Sequence, residues 1–228
     1  MSFAATVSET RARATTELSY LVFGHAHRRR SFTVSGRRYR YHAHRYNATW
    51  TNERTVELPI VISTMREHAG ARVLEVGNVL AHYGIRGHEI VDKYEDAPGV
   101  VNADILAFTP DTDYQLIVSI STLEHIGFEE ELRDPGKPAR VLEHLTGLLA
   151  PEGMLLVTFP LGYNPALDAQ VRAGSLPLGQ TQYLRRISRD NRWKEVALSD
   201  LNDPRYGTPY PKANALAVAR AHVSDSPR

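Results

Sequence analysis

The sequence predicts an α/β fold, a three-layer sandwich in which a mostly parallel sheet carries helices on its faces. Three observations predict it. From residue 71 onward, five short apolar runs recur: RVLEVG (72–77), HEIVD (88–92), YQLIVSIS (114–121), MLLVTFP (154–160) and ALAVARAHV (215–223). Turn signals and helical stretches separate them, which is the alternation that parallel strands with crossover connections require. The runs are continuously apolar, as suits strands covered on both sides.

Residues 1–24 are mixed and small and read as a loose lead-in or a short helix. Residues 25–50 interleave Phe32, Tyr39, Tyr41, Tyr46 and Trp50 with arginines. The stretch SFTVSGRRYRYHAH alternates weakly around Gly36, which permits a small hairpin. In TNERTVELPIVISTMREHAG, Asn52 suits a helix cap and Glu53 its first turn. Pro59 is expected to break that helix and open a second one, because proline lacks the N–H and crowds the preceding turn. Gly70 is expected to end it. Between the third and fourth runs, PARVLEHLTGLL places Val141, Leu142, Leu145, Leu148 and Leu149 at helical spacing. Residues 1–70 therefore read as an N-terminal cap or arm, not an independent domain, and 71–228 as the main domain. The polar tail HVSDSPR is expected to fray.

Composition narrows the function classes. Apolar residues make up 42% of the 228, enough to bury a core. There is no cysteine, so disulfides, Cys-ligated zinc and a thiol nucleophile are excluded. No run of eighteen apolar residues is present to form a membrane-spanning helix. The first twenty residues lack the apolar core of a signal peptide, so the expected location is the cytoplasm. The net charge is +1, yet residues 25–45 hold seven arginines and no acid, leaving −6 on the remainder. A basic segment thus sits on an acidic protein.

In an open α/β sheet, ligands bind beyond the carboxyl ends of the strands, where strand order reverses. Polar and small residues gather at four such ends. Glu75, Gly77 and Asn78 mark the first, and Asp92 and Glu95 the second, with a turn leading to Asp104. Ser119, Ser121, Glu124 and His125 mark the third, and Pro160, Gly162, Tyr163 and Asn164 the fourth.

The stretch from 72 to about 160 resembles the class I S-adenosylmethionine-dependent methyltransferases, a Rossmann-like family. RVLEVG resembles the family's first motif and HEIVD its second strand. NADILAF resembles the segment that meets the adenine, YQLIVSISTLEHIG the fourth strand with its "LEH" continuation, and LLAPEGMLLVTFP the turn into the fifth. All stand in the family's order. The resemblance implies S-adenosyl-L-methionine as cofactor, held by Glu75, Gly77, Asn78, Asp92, Asp104, Ile105, Ser119 and Ile120. Asp92 would accept from the ribose hydroxyls, Asp104 would accept from the adenine amino group with Ile105 against the ring, and Ser119 and Ile120 would line the methionine side. A side chain at position 77 would enter the space of the methionine moiety. The last strand would run antiparallel, and the reaction would be direct displacement at the methyl carbon, with no metal needed.

Two departures from the pattern accompany the match. The first loop, GNVLAHYG, keeps only Gly77 where the family has several glycines. The span from Gly77 to Asp92 is short, so the first crossover helix should be clipped to about two turns, with Glu95 as the alternative ribose acid. The missing glycines keep two alternatives open: a non-catalytic binding subunit, and a nicotinamide-dependent oxidoreductase, although that fold wants G-x-G-x-x-G before a helix N-terminus.

His125 follows the fourth strand of the resembled order and is the candidate base, with a loop-shaping role as the alternative. The pairs His25/His27 and His42/His44 raise a metal site against plain exposed histidines in a basic loop. The segment Arg28–Arg45 suits a phosphate-bearing acceptor, a nucleic acid, an anionic membrane surface, or docking on the acidic remainder. Nucleic acid is disfavoured, because one segment falls short of a basic face. Trp50 and Arg54 either line the cofactor pocket or belong to the core, and Tyr163 and Asn164 either touch the acceptor or stiffen a loop. The expected partner is a small-molecule acceptor, either anionic or a sugar-type or natural-product hydroxyl. The oligomeric state is not encoded in any of these features.

Overall fold

The structure is a computed structural model, and it describes residue 17 and residues 19–223. Most of the expected lead-in, and residues 224–228 of the tail, lie outside the described residues.

After short helical turns at Tyr20–Gly24 and His25–Arg28, an antiparallel hairpin forms from β1 at Ser31–Val34 and β2 at Arg37–Arg40. Ser35 and Gly36 both take positive φ, 50° and 76°, the two-residue turn whose twist matches flanking strands. Alternation buries Phe32, Val34 and Tyr39 and turns Arg38 and Arg40 outward.

Helix α1 then runs unbroken over Arg54–Glu67 with Pro59 inside it. This corrects the expected break. Proline at 59 leaves the carbonyl of Thr55 without its helical donor, and the backbone N–H of His42 fills that place at 2.9 Å. Thr55 Oγ1 returns a bond to the His42 carbonyl at 2.7 Å. Asn52 Oδ1 accepts from the Arg54 N–H at 3.0 Å, so Asn52 serves the helix start as its residue type suggests. The helix stops three residues short of Gly70, whose φ of 87° reverses the chain.

One eight-stranded sheet follows. Its strands are β3 (Val73–Val76), β4 (Glu89–Asp92), β5 (Val100–Asn102), β6 (Tyr114–Ile120), β7 (Leu149–Leu161), β8 (Gln180–Arg186), β9 (Trp193–Val196) and β10 (Ala215–His222), in the order β5-β4-β3-β6-β7-β10-β8-β9. The β5-β4-β3-β6-β7 half is parallel throughout. β10 runs antiparallel to β7 and to β8, as expected of the last strand. β8, paired antiparallel to β10, therefore points with the parallel set, and only β10 and β9 oppose it. β5, read as a turn before Asp104, and β8 and β9 are not among the predicted runs. β8 buries Gln182 and Arg186 beside Leu184, so its inward face carries no apolar alternation to find.

Two apolar clusters flank this sheet. Val73, Leu116, Val118, Ile120, Leu156 and Val218 meet Val56, Leu58, Ile60 and Val61 of α1, together with the hairpin. Leu74, Ile117, Leu155, Val157 and Ala217 meet α2 (Lys137–Gly147) and α3 (Pro165–Ala173) on the other side. Neighbouring residues of each strand thus serve opposite layers, which completes the Rossmann-like three-layer arrangement. α2 ends at Gly147, and Leu149, expected in the helix, begins β7 instead. α3 replaces the expected loop after residue 160. Its signals were present: Asn164 caps it by accepting from Ala166 and Leu167, Pro165 opens it, and Gly174 with φ 63° closes it.

The first crossover is shorter than expected. It holds no α-helix, only a 3₁₀ turn over Leu80–Tyr83 closed by Gly84 at φ 76°.

Of the histidines expected at the surface, His25 is exposed, His42 and His44 are partly covered and His27 is drawn into the interior. His27 is buried, its Nε2 3.0 Å from Thr55 Oγ1, and its ring lies 4.4 Å from that of Tyr41. His42 lies 6.3 Å from His44, ring centre to ring centre. Among the described residues no group of three or more such side chains is arranged for a metal. Burial, helped by Arg30 for His27 and by His44 for His42, lowers each pKa to about 4. Above about pH 6.5 these rings are neutral folded or unfolded; below it, the unfolded chain takes up protons that the folded chain refuses. Stability should therefore fall between pH 6.5 and 4, by roughly 3 kcal/mol through His27 alone. Urea titrations across that range should show the loss, and His27→Gln should remove the His27 share of the slope.

Candidate functional site

The strand order reverses between β3 and β6, and there the sheet opens a cavity of about 340 Å³. That volume lies within the range of small-molecule sites. Val76, Gly77, Asn78 and Val79 form its floor, Val91 and Asp92 one wall, Ala103, Asp104 and Ile105 the far end, and Ser121, Thr122, His125 and Ile126 the other wall. Gly77, Asn78, Asp92, Asp104, Ile105 and His125, singled out from the sequence, are thus brought around one space.

Glu75, Ser119 and Ile120 are not, which corrects their expected placement. Glu75 sits one residue, and the pair Ser119 and Ile120 two residues, short of the lining positions, and all three are closed into the sheet, at 0%, 2% and 0% exposure. Ser121 and Thr122 hold the lining positions instead. Glu75 holds the loop from beneath. Its Oε1 accepts from the Val79 and Leu80 N–H groups, both at 2.9 Å, and its Oε2 lies 2.7 Å from His88 Nε2.

Asp92 is tied to the same loop. Oδ1 accepts from Tyr94 and Glu95 N–H at 2.8 Å each, and Oδ2 accepts from Asn78 N–H at 3.2 Å. Glu95 is outside the lining and accepts from Asn78 Nδ2 at 2.8 Å. The carbonyl Oδ1 of Asn78 is buried with no partner. At the far end two lysines and two acids make a closed cluster. Lys137 Nζ lies 2.6 Å from Asp104 Oδ2 and 2.7 Å from Glu130 Oε1, and Lys93 Nζ lies 3.0 and 3.1 Å from the same two carboxylates. Burial works to raise the pKa of Asp104, but the lysines and the Leu106 N–H outweigh it and hold it at about 2. The carboxylate is therefore charged at any working pH, and part of its bonding capacity is already used.

Gly77 is needed for two reasons, and one differs from expectation. Its φ is 87°, a conformation that side chains rarely adopt. A Cβ there would meet Thr122 Oγ1 at 2.3 Å, so it would strike the wall of the cavity before reaching its open space.

A second, smaller cavity of about 180 Å³ adjoins the first, and Ser121 and His125 line both. Asn47, Asn52, Glu53, Arg54, Glu124, Tyr163, Tyr206 and Lys212 complete it. Arg54 belongs here, whereas Trp50 packs on Tyr20 with ring centroids 5.5 Å apart and lines neither cavity. Asn164 also stays out, because its side chain is spent on the α3 cap and on the Glu124 carbonyl.

The floor of this second cavity is held by Glu57, fully buried. It receives Arg54 Nη1 at 2.5 Å and the hydroxyls of Ser121 and Thr158 at 2.7 Å each. Glu124 is different. It is 2% exposed, and its Oε2 has no partner. Burial raises its pKa well above the usual range, which favours the neutral carboxyl. His125 stands between the cavities, with Nδ1 2.8 Å from Glu129 Oε2 and Nε2 3.6 Å from Glu124 Oε1. Tyr163 donates its hydroxyl proton to Glu129, and its ring meets that of Tyr206 edge to face at 5.0 Å.

The basic segment serves neither cavity. Arg30, Arg37 and Arg45 pair with Asp190, Glu67 and Glu17. Arg28, Arg29, Arg38 and Arg40 line a separate groove that shares no residue with either cavity.

Gly77→Ala should therefore cost stability as well as empty space. Forced positive φ and the Thr122 contact should lower the unfolding free energy by about 1–2 kcal/mol, measured by urea titration. A variant as stable as the parent would contradict this geometry.

No protein-family model matches the chain, and no curated protein sequence matches it. Solved structures give partial superpositions. N-methyltransferase NodS from Bradyrhizobium japonicum WM9, in complex with S-adenosyl-L-homocysteine, is 14% identical with a TM-score of 0.40, covering 76% of this chain and 93% of that one. A possible histamine N-methyltransferase from Thermotoga maritima is 11% identical with a TM-score of 0.41, covering 68% and 83%. The 1,6-didemethyltoxoflavin-N1-methyltransferase of Burkholderia thailandensis is 16% identical with a TM-score of 0.40, covering 72% and 76%.

Proposed function

We propose that the chain is an S-adenosylmethionine-dependent methyltransferase acting on a small polar molecule. The observation that carries the reading is the convergence of Gly77, Asn78, Asp92, Asp104 and Ile105 on one cavity at the switch point, opening directly onto a second, polar cavity. The residues fit the cofactor. The unpartnered Asn78 Oδ1 offers an acceptor to its polar groups, Asp92 a carboxylate to its ribose hydroxyls, and Ile105 with Val91 an apolar seat for its ring. Bound there, S-adenosylmethionine would supply an already activated methyl group, so no metal is required.

The remaining chemistry belongs to the chain. The second cavity is lined by hydroxyl, amide and carboxyl groups, which supports an acceptor that forms several hydrogen bonds, such as a sugar-type or natural-product hydroxyl. His125 stands at the junction and would take the acceptor's proton, with the Glu129 carboxylate 2.8 Å from its Nδ1. Protonated Glu124 would donate its O–H to the acceptor. Holding two reactants in adjoining cavities is itself a large part of catalysis. The crossover argues against a nicotinamide enzyme: a four-residue 3₁₀ turn after β3 gives no helix N-terminus on which a pyrophosphate could rest. The same clipped crossover is what favours the second reading, a binding subunit without catalysis.

Calorimetry with S-adenosylhomocysteine tests the cofactor. Saturable binding is expected, weakened by about 1.5–3 kcal/mol in Asp92→Ala and far less in Glu95→Ala. No heat and no thermal shift in the parent protein would sink the enzyme reading, and a reversed order of the two variants would show Glu95 to be the ribose acid. A methyl-labelled cofactor incubated with a small-molecule cell extract should then yield a labelled product. His125→Ala should slow that labelling roughly 10²–10⁴-fold, far more than it weakens S-adenosylhomocysteine binding, because His125 lines both cavities; binding without labelling in the parent protein would favour the non-catalytic reading.

A further inference from the structure

We propose that the groove between the β1–β2 hairpin and the outer side of α1 binds a small molecule carrying a diphosphate group, at a site distinct from both cavities. The groove encloses about 580 Å³, the size of a small-molecule site. Arg28, Arg29, Arg38, Arg40 and Arg66 line it, and no carboxylate does. They come from three separate elements: the turn after the His25–Arg28 helix, the outward face of β2, and the last turn of α1.

The pattern of pairing is selective. Arg30, Arg37 and Arg45, close in sequence, each have an acid. The five groove arginines have no acidic partner among the described residues. Arg28 donates only to the Tyr20 hydroxyl at 3.3 Å, and Arg38 only to Ser31 Oγ at 2.7 Å. Folding thus gathers five like charges in a concave space and satisfies every neighbouring arginine but these. Such an arrangement costs self-repulsion that an anion would relieve.

Guanidinium forks match phosphate oxygens in pairs, and several forks from different directions suit two linked phosphates better than one. Pro59 and Ile62 give the groove an apolar margin for the organic part. A nucleic acid fits less well, because the ion pairs Arg30–Asp190 and Arg37–Glu67 interrupt the basic surface that a long backbone would follow.

Calorimetry of the full chain with inorganic pyrophosphate tests the site. One-to-one saturable binding is expected, at least tenfold tighter than inorganic phosphate and weaker at 300 mM than at 50 mM salt. Arg40→Gln/Arg66→Gln, and separately Arg29→Gln, should each weaken it at least tenfold while melting with the parent protein. Absence of saturable binding, indifference to both variants, or equal affinity for phosphate and pyrophosphate would overturn the proposal. So would a 20-nucleotide single strand that binds through the same arginines more tightly than pyrophosphate, which would make the groove a nucleic-acid site. Since S-adenosylhomocysteine plays no part in this experiment, its result stands apart from the methyltransferase reading.

Discussion

The buried carboxylate of Glu75 is the constraint on which the site depends. A chain leaving the middle of a parallel sheet normally enters a helix, whose first N–H groups then point at the ligand. Here the connection to β4 is too short for that, and the amides of Val79 and Leu80 would be left facing the interior. Glu75 accepts both and is itself balanced by His88, so one side chain does locally what a helical turn does elsewhere. This fixes the loop from Gly77 to Leu80, and with it the floor of the larger cavity. It also removes the helix dipole from the site. The charge that surrounds the cavity therefore comes from side chains, Asp92 on one wall and the lysine–carboxylate cluster at the far end.

A similar substitution governs the second layer. Pro59 deprives α1 of one internal bond, and the loop at His42 supplies it from outside. The helix is thereby stitched to the segment that carries His42, His44 and Thr49, and its first turn is held over the sheet. From that turn Glu57 reaches Ser121 and Thr158 on β6 and β7, which sets the position of Ser121 between the two cavities. Ser121 needs that support, because its φ is 40° and its N–H is drawn to the Thr158 carbonyl at 2.7 Å. Backbone strain at the mouth of a cavity persists only where neighbours over-determine it, and here a fully buried network does so.

Much of this was legible in the residues. The five apolar runs became β3, β4, β6, β7 and β10, since their burial on both faces leaves a signal that needs no partner to be read. Gly77, Asn78, Asp92, Asp104, Ile105 and His125 stand where strand ends put them. The errors have common physical causes. The end of β6 was placed two residues too early, at Ser119 and Ile120, because a period of two cannot tell which residue of a face is the last to be covered. Glu75 reads as a ligand from its type and position, yet its partners are backbone amides that no side-chain pattern reveals. The break expected at Pro59 failed because the compensating donor, the His42 N–H, lies thirteen residues before Thr55 in the chain, outside any helical pattern. β8 and β9 escaped because an inward Gln182 and Arg186 resemble loop.

Charge is sorted along α1, and this is what separates the two ends of the molecule's chemistry. The first turn carries Glu53, Arg54 and Glu57 inward, where desolvation makes every unpaired group expensive. Arg54 and the hydroxyls satisfy Glu57, the Ala213 N–H reaches Glu53 at 3.1 Å, and only Glu124 is left with an open oxygen. A protonated carboxyl is the least costly way to keep such a group buried, and it is also a donor ready for a polar acceptor. The last turn carries Arg66 outward beside Arg28, Arg29, Arg38 and Arg40, where water screens the repulsion and the open guanidinium groups are cheap to hold. A single helix therefore faces a polar chamber of mixed charge at one end and an exposed, strongly cationic groove at the other.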